Sequence, residues 1–149
     1  MRRARIQARG TPDRAQIPVI EKVREGTETD IDLMDSVDRR TRGAAHGVDH
    51  ELLMRHFRLV VSESSSAQGY AYLDDGVILL AATDRRTAAR LMWEAIASSD
   101  DLLIGHITPE NGWAVDVGLA ARLELHQEGY QALRNMRPPK PYLPHGSLM

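Results

Sequence analysis

The chain is predicted to be an α+β domain, with one mixed, mostly antiparallel central sheet flanked by helices. Three observations carry that expectation. Apolar runs at 59–62, 69–73 and 77–82 follow one another with only loop and turn residues between them, the pattern of an antiparallel meander. From residue 84 the apolar positions (Ala88, Leu91, Met92, Ala95 and Ile96) fall at helical spacing. A further apolar run, LLIGHI at 102–107, then closes a strand–helix–strand unit, which requires a parallel pair and a right-handed crossover.

The remaining elements follow in order. Residues 1–15 carry Arg2, Arg3, Arg5 and Arg9 before Gly10 and Pro12, and read as a flexible basic leader. Residues 16–149 form a single domain ending in an extended proline-rich tail. Residues 17–23, IPVIEKV, are a first strand, with Pro18 placing it at an edge. Thr29 and Asp32 form a capping box ahead of Ile31, Leu33, Met34 and Val37, so a helix starts there and stops by Gly43. Asp49 caps a second short helix burying Leu52, Leu53 and Phe57. The run VILLAA lacks polar outward positions and should be covered on both faces. Thr83 or Asp84 caps the long helix of 84–98. Thr108 caps the last helix, with Pro109 at its first position, where a missing amide costs nothing. Residues 123–125 and 130–136 are final strands around a turn at Glu128-Gly129. The order is therefore β-α-α-β-β-β-α-β-α-β-β.

Composition excludes several functions. A chain of 149 residues buries roughly 70% of its unfolded surface and needs no covalent staple. It has no cysteine, so disulfides, thiolate zinc sites, iron–sulfur clusters and a cysteine nucleophile are ruled out. The net charge of -2 argues against a nucleic-acid partner. No apolar run approaches the ~18 residues of a membrane span, and the expected location is the cytoplasm. The cations are 17 arginines against two lysines. Arginine's fork suits phosphate, but only clustered arginines could carry such a claim.

Three stretches carry a resemblance: RRTRGAAHGVDHELL; GYAYLDDGVILLAATDRRTAARLMWEAI; and WAVDVGLAARLELHQEGYQALRNMRPPKPYLPHG. Together with the element order over residues 17–137, they resemble the GNAT N-acetyltransferase superfamily. More narrowly, they look like the divergent carboxyl-terminal domain of bacterial two-domain GNAT proteins. The resemblance implies acetyl-CoA as acyl donor, lying in a wedge where two parallel strands splay. Its pantetheine arm would pair with the free backbone edge at 77–82, near Leu80 and Ala82. Its pyrophosphate would sit on the amides opening the next helix, at Arg85, Arg86, Thr87, Ala88 and Ala89. Family members place spaced glycines in that turn. This sequence has none, and Asp84 brings a negative charge to its mouth. A plainly capped, solvated helix start explains the same residues.

The chemistry implied is direct acetyl transfer to an amine acceptor, which needs a base and an acid for the leaving thiolate. The last helix has no tyrosine. Glu110 and Asn111, at its start, are the catalytic candidates, although Glu110 also suits an ordinary helix first turn. Tyr70 and Tyr72 share one strand face, as packing residues do. His106, inside an apolar strand, reads as a core histidine or as a base near the wedge. His46, Asp49 and His50 are the metal-like cluster, but Gly47 and the Asp49 cap start a helix between the histidines, and no remote ligand is marked. No metal is expected.

Two functions follow. One is an acetyl-CoA-dependent N-acetyltransferase. The other is a non-catalytic GNAT-like interaction or scaffolding domain, paired with a catalytic GNAT domain or with a second copy of itself. The absent glycines and tyrosine favour the second; the family resemblance favours the first.

Overall fold

The computed structural model describes residues 2–132 and 139–145. Eight strands form one sheet: β1 (Arg2–Gly10), β2 (Val23–Glu25), β3 (Arg58–Glu63), β4 (Gln68–Leu73), β5 (Gly76–Ala82), β6 (Leu102–Ile107), β7 (Glu124–Ala132) and β8 (Tyr142–Leu143). Their spatial order is β2-β3-β4-β5-β6-β1-β7, with β8 added against β5. Among the described residues only β5 and β6 run parallel, through Gly76–Leu103 and Val77–Ile104. The four α-helices are α1 (Ile31–Arg42), α2 (Asp49–His56), α3 (Arg85–Ala97) and α4 (Gly112–Ala120).

Strand alternation divides the core into two layers. Val60, Ala71, Leu80 and Ala82 face α3 and α4. Val61, Tyr70, Tyr72, Leu79 and Ala81 face α1 and α2. The continuous apolar text of β5 follows from helices lying on both faces of it. Leu91, Met92 and Ile96 of α3 are fully buried, each worth about 1.5–3 kcal/mol of apolar transfer. Helix α3 sits so close to β4 that a Cβ on Gly69 would lie 2.9 Å from Leu91 Cδ1 and 2.8 Å from Ala82 Cβ.

The meander, the helix of 84–98 and the strand at 102–107 all stand where the sequence places them. Asp84 caps α3 by accepting the Thr87 amide at 2.8 Å. Gly43, at φ +83°, ends α1.

Five expectations are corrected. The basic leader is a strand: Arg2–Gly10 lies inside the sheet between β6 and β7. Its Ala4, Ile6 and Ala8 alternate with polar residues, a period of two that the arginine content obscures. The first strand at 17–23 shrinks to Val23–Glu25, because Pro18 offers no amide and Val19 is 88% exposed. The capping box lies two residues early: Thr27 and Asp30 form it, and open a short 3-10 turn before α1. Leu52 faces solvent rather than the core, while Leu53 is buried. The two final strands are one, because Gly129, at φ +126°, carries β7 through a bulge. Arg5 faces Gly129 and Ile6 faces Gln127, which leaves Glu128 as the extra residue. Residues 133–136 of the expected last strand lie outside the described residues. The described part of the proline-rich tail, residues 139–145, returns to the sheet as β8.

Candidate functional site

The wedge begins where β5 and β6 part. Gly76 makes their pairing possible: at φ +138° its missing Cβ would lie 2.0 Å from the Leu103 carbonyl oxygen. Beyond Val77 and Ile104 the two strands are no longer paired. One edge of β5 is taken by β4 along its length. The other edge, freed by the departure of β6, is taken by the tail. Leu80 pairs with Leu143 and Ala81 with Tyr142, and the Ala82 amide donates to the Pro141 carbonyl at 3.3 Å.

That edge, at Leu80 and Ala82, is where the resemblance places the pantetheine arm. Its hydrogen-bonding groups are already used by the chain itself, and both side chains are buried. The groove as folded therefore does not fit acetyl-CoA. At the start of α3, Arg85 and Arg86 are exposed, Thr87 and Ala88 are buried and Ala89 is half-buried. The Thr87 amide is committed to the Asp84 cap. Burial raises the Asp84 pKa, but its hydrogen bonds with Thr87 outweigh that and hold the carboxyl below its ordinary value. A settled negative charge thus stands where an incoming phosphate would need positive potential.

Asn111, a catalytic candidate, is a tail anchor. It is buried on the 3-10 turn Pro109–Asn111, and its amide group meets four partners. Nδ2 donates to Thr108 Oγ1 at 3.0 Å and to the Pro139 carbonyl at 3.3 Å. Oδ1 accepts from Trp113 Nε1 at 3.1 Å and from the Tyr142 amide at 2.9 Å. Two of these four bonds, to the Pro139 carbonyl and from the Tyr142 amide, hold the tail and β8 in the wedge. Glu110 lies half-buried on the same turn.

Below the splay lies an open cleft of about 440 Å³, whose walls include Asp75, Ile78, Asp101, His106, Glu128 and His145. His106 adopts a left-handed φ of +60°. Its amide donates to the Glu128 carboxylate, and its Nδ1 lies 3.1 Å from Arg5 Nη1. Burial lowers the His106 pKa most; nearby Glu128 opposes this, and Arg5 and His145 add to it. The imidazole is therefore neutral near pH 7. The bulge at Glu128 and the left-handed His106 backbone sit side by side, in adjoining register with β1. The sequence marked Glu128-Gly129 as a turn between two strands; in the structure the same pair is a bulge within one strand.

His46 and His50 do meet, but not around Asp49, which is half-buried in the first turn of α2. The carboxylate between them is Asp38, from the preceding helix. Tyr70 and Tyr72 are fully buried beside it.

No family model matches this sequence, and no curated protein does. A solved structure described as a "putative acetyltransferase", from Pyrococcus horikoshii, superposes with a TM-score of 0.63 at 17% identity. The match covers 97% of this chain and 50% of that one, so this chain spans about half the length of that protein. The likeness establishes a GNAT-like fold: a mixed, mostly antiparallel sheet of eight strands flanked by four helices. Among the described residues, no helix is long and apolar enough to cross a membrane.

Proposed function

We propose that this chain is a non-catalytic GNAT-like module, an interaction or scaffolding domain that works with a catalytic GNAT unit. One observation carries the reading. The acyl-donor edge of β5 is closed by the chain's own β8, which Asn111 pins in place. A closed edge offers no backbone pairing to a pantetheine arm. The glycine-free, acid-capped start of α3 supports the same reading at the pyrophosphate end. So does the twofold length of the structural neighbour, in which a fold of this kind is half of a larger protein.

A second reading is an N-acetyltransferase whose tail swings out of the wedge. The cleft beside His106 favours it. With Asp74, Asp75, Asp101 and Glu128 around a neutral imidazole, it would suit a cationic amine acceptor.

Calorimetric titration of the chain with acetyl-CoA separates the two. The module reading expects no saturable heat at millimolar cofactor. Micromolar binding, lost in the Arg85→Ala, Arg86→Ala double variant, overturns it in favour of the enzyme. Sedimentation at the same concentrations tells whether the partner is a second copy of the chain.

A further inference from the structure

Beneath α1 and α2, on the face of the sheet opposite α3, lies a buried cluster with no part in the wedge argument. Asp38 comes from α1, His46 from the link to α2, and His50 from α2 itself. All three are buried, and one ligand-type atom from each lies within 4.8 Å of the others. The geometry points to a divalent transition-metal site of the zinc type at this position. It would be held by Asp38 Oδ2, His46 Nδ1 and His50 Nε2, with Asp35 as the fourth ligand.

Four features support it. First, Asp38 Oδ2 is oversubscribed. It faces the His46 amide at 3.1 Å, His46 Nδ1 at 2.9 Å and His50 Nε2 at 3.0 Å. A carboxylate oxygen has two in-plane lone pairs, so three N–H donors crowd it. One cation on the same oxygen replaces two of them.

Second, every outward atom of the three ligands already has a tyrosine. His46 Nε2 lies 3.1 Å from Tyr142 Oη, and His50 Nδ1 lies 2.9 Å from Tyr72 Oη. The Tyr70 hydroxyl donates to Asp38 Oδ1. Metal-bound imidazoles characteristically donate through their second nitrogen to such a partner. Without metal, each imidazole proton points to Asp38 and Tyr72 and Tyr142 donate; with metal, each proton moves to the outer nitrogen and those tyrosines accept. A hydroxyl satisfies either arrangement.

Third, two of the three edges are close to the spacing required. Tetrahedral bonds of ~2.0–2.1 Å put ligand atoms about 3.3 Å apart. The two edges to Asp38 Oδ2, 2.9 and 3.0 Å, need to open by a few tenths of an ångström, while the edge between the two histidines, within 4.8 Å, closes as the ion draws both rings in.

Fourth, charge and access converge on Asp35. One carboxylate would leave a buried divalent ion with a net positive charge, which a second carboxylate neutralises. Asp35 lies one helical turn before Asp38, with Oδ1 3.5 Å from His50 Nε2, and its side chain is 16% exposed. It provides both the missing ligand and the side from which the ion enters. With no open position left, the metal's role is structural: it ties α1 and α2, through the tyrosines, to β4 and to Tyr142 of β8.

The test uses tag-free chain stripped of metal by chelator, titrated with Zn²⁺ by calorimetry and with Co²⁺ by visible absorption. Expected are one saturable site per chain, the intense d–d bands of tetrahedral cobalt, and a melting temperature raised by zinc. Asp35→Asn, at the partly exposed rim, keeps the fold and weakens binding by about tenfold to a hundredfold. His50→Gln abolishes the cobalt spectrum. Folded wild-type chain that shows no saturable binding at millimolar Zn²⁺ overturns the site. So does cobalt binding with octahedral, weak bands, or binding that Asp35→Asn leaves unchanged.

Discussion

Replacing Asn111 by alanine tests whether the tail is a structural part of the sheet. Asn111 is 1% exposed, and its Oδ1 accepts two buried donors, the Trp113 indole and the Tyr142 amide. The substitution leaves both without an acceptor in a site closed to water. Each orphaned donor costs about 1–3 kcal/mol, so the two together cost about 2–6 kcal/mol. For a chain of this size that lowers the thermal midpoint by about 5–20 °C. Calorimetric melting and urea unfolding measure it. Amide exchange localises it: protection of Tyr142 and Leu143 should fall further than that of Tyr70 and Tyr72. A residue kept for acid–base chemistry behaves differently, since its removal leaves stability nearly unchanged. A loss below about 0.5 kcal/mol, with Tyr142 still protected, would refute the anchoring role of Asn111.

Two further outcomes follow from the structure. Gly76→Ala places a methyl 2.0 Å from the Leu103 carbonyl oxygen at φ +138°; it should cost about 3 kcal/mol or more and disturb the β5–β6 pair, read by melting and by amide exchange at Leu103 and Ile104. The Asp30 carboxyl is held below its ordinary value chiefly by the hydrogen bond from Arg24, against burial and with help from the Thr27 amide. Its pKa is depressed on folding, so its contribution is present above about pH 4 and fades as pH falls through the folded value. Asp30→Asn should therefore cost about 1 kcal/mol at pH 7, with the two unfolding curves converging toward pH 2.

The two-layer core was legible because strand alternation and helical spacing are local signals. Val60 and Val61, or Ala71 and Tyr72, face opposite helix pairs as a period of two requires. The crossover through α3 was legible for the same reason. What escaped were pairings between distant segments. Strand β1 was hidden because four arginines outweigh three small apolar residues in any composition count. Strand β8 is two residues long among prolines, and only the vacant edge of β5 makes it a strand. The site was legible in position but not in state. Residues 77–82 and the start of α3 lie where a wedge would be, yet nothing local says that the tail fills it. The histidine pair was visible at 46 and 50, but its carboxylate was sought at Asp49. The correct partner, Asp38, is a helix away, brought near by the α1–α2 turn.

The placement of β1 has a consequence for how the molecule is made. The meander β3–β5 and α3 join neighbours in sequence and can assemble early. The partners of β1, by contrast, are β6 and β7, about a hundred residues further along. Synthesis from the amino terminus therefore delivers β1 first and its ladder last, and long-range closure of this kind is slow. Throughout that interval the strand has two bare edges. Arg2, Arg3, Arg5 and Arg9 lie along it, and repeated like charges disfavour pairing of such a strand with another copy of itself. Charge along this segment therefore counts before folding as well as after it, since the strand waits longest for its partners.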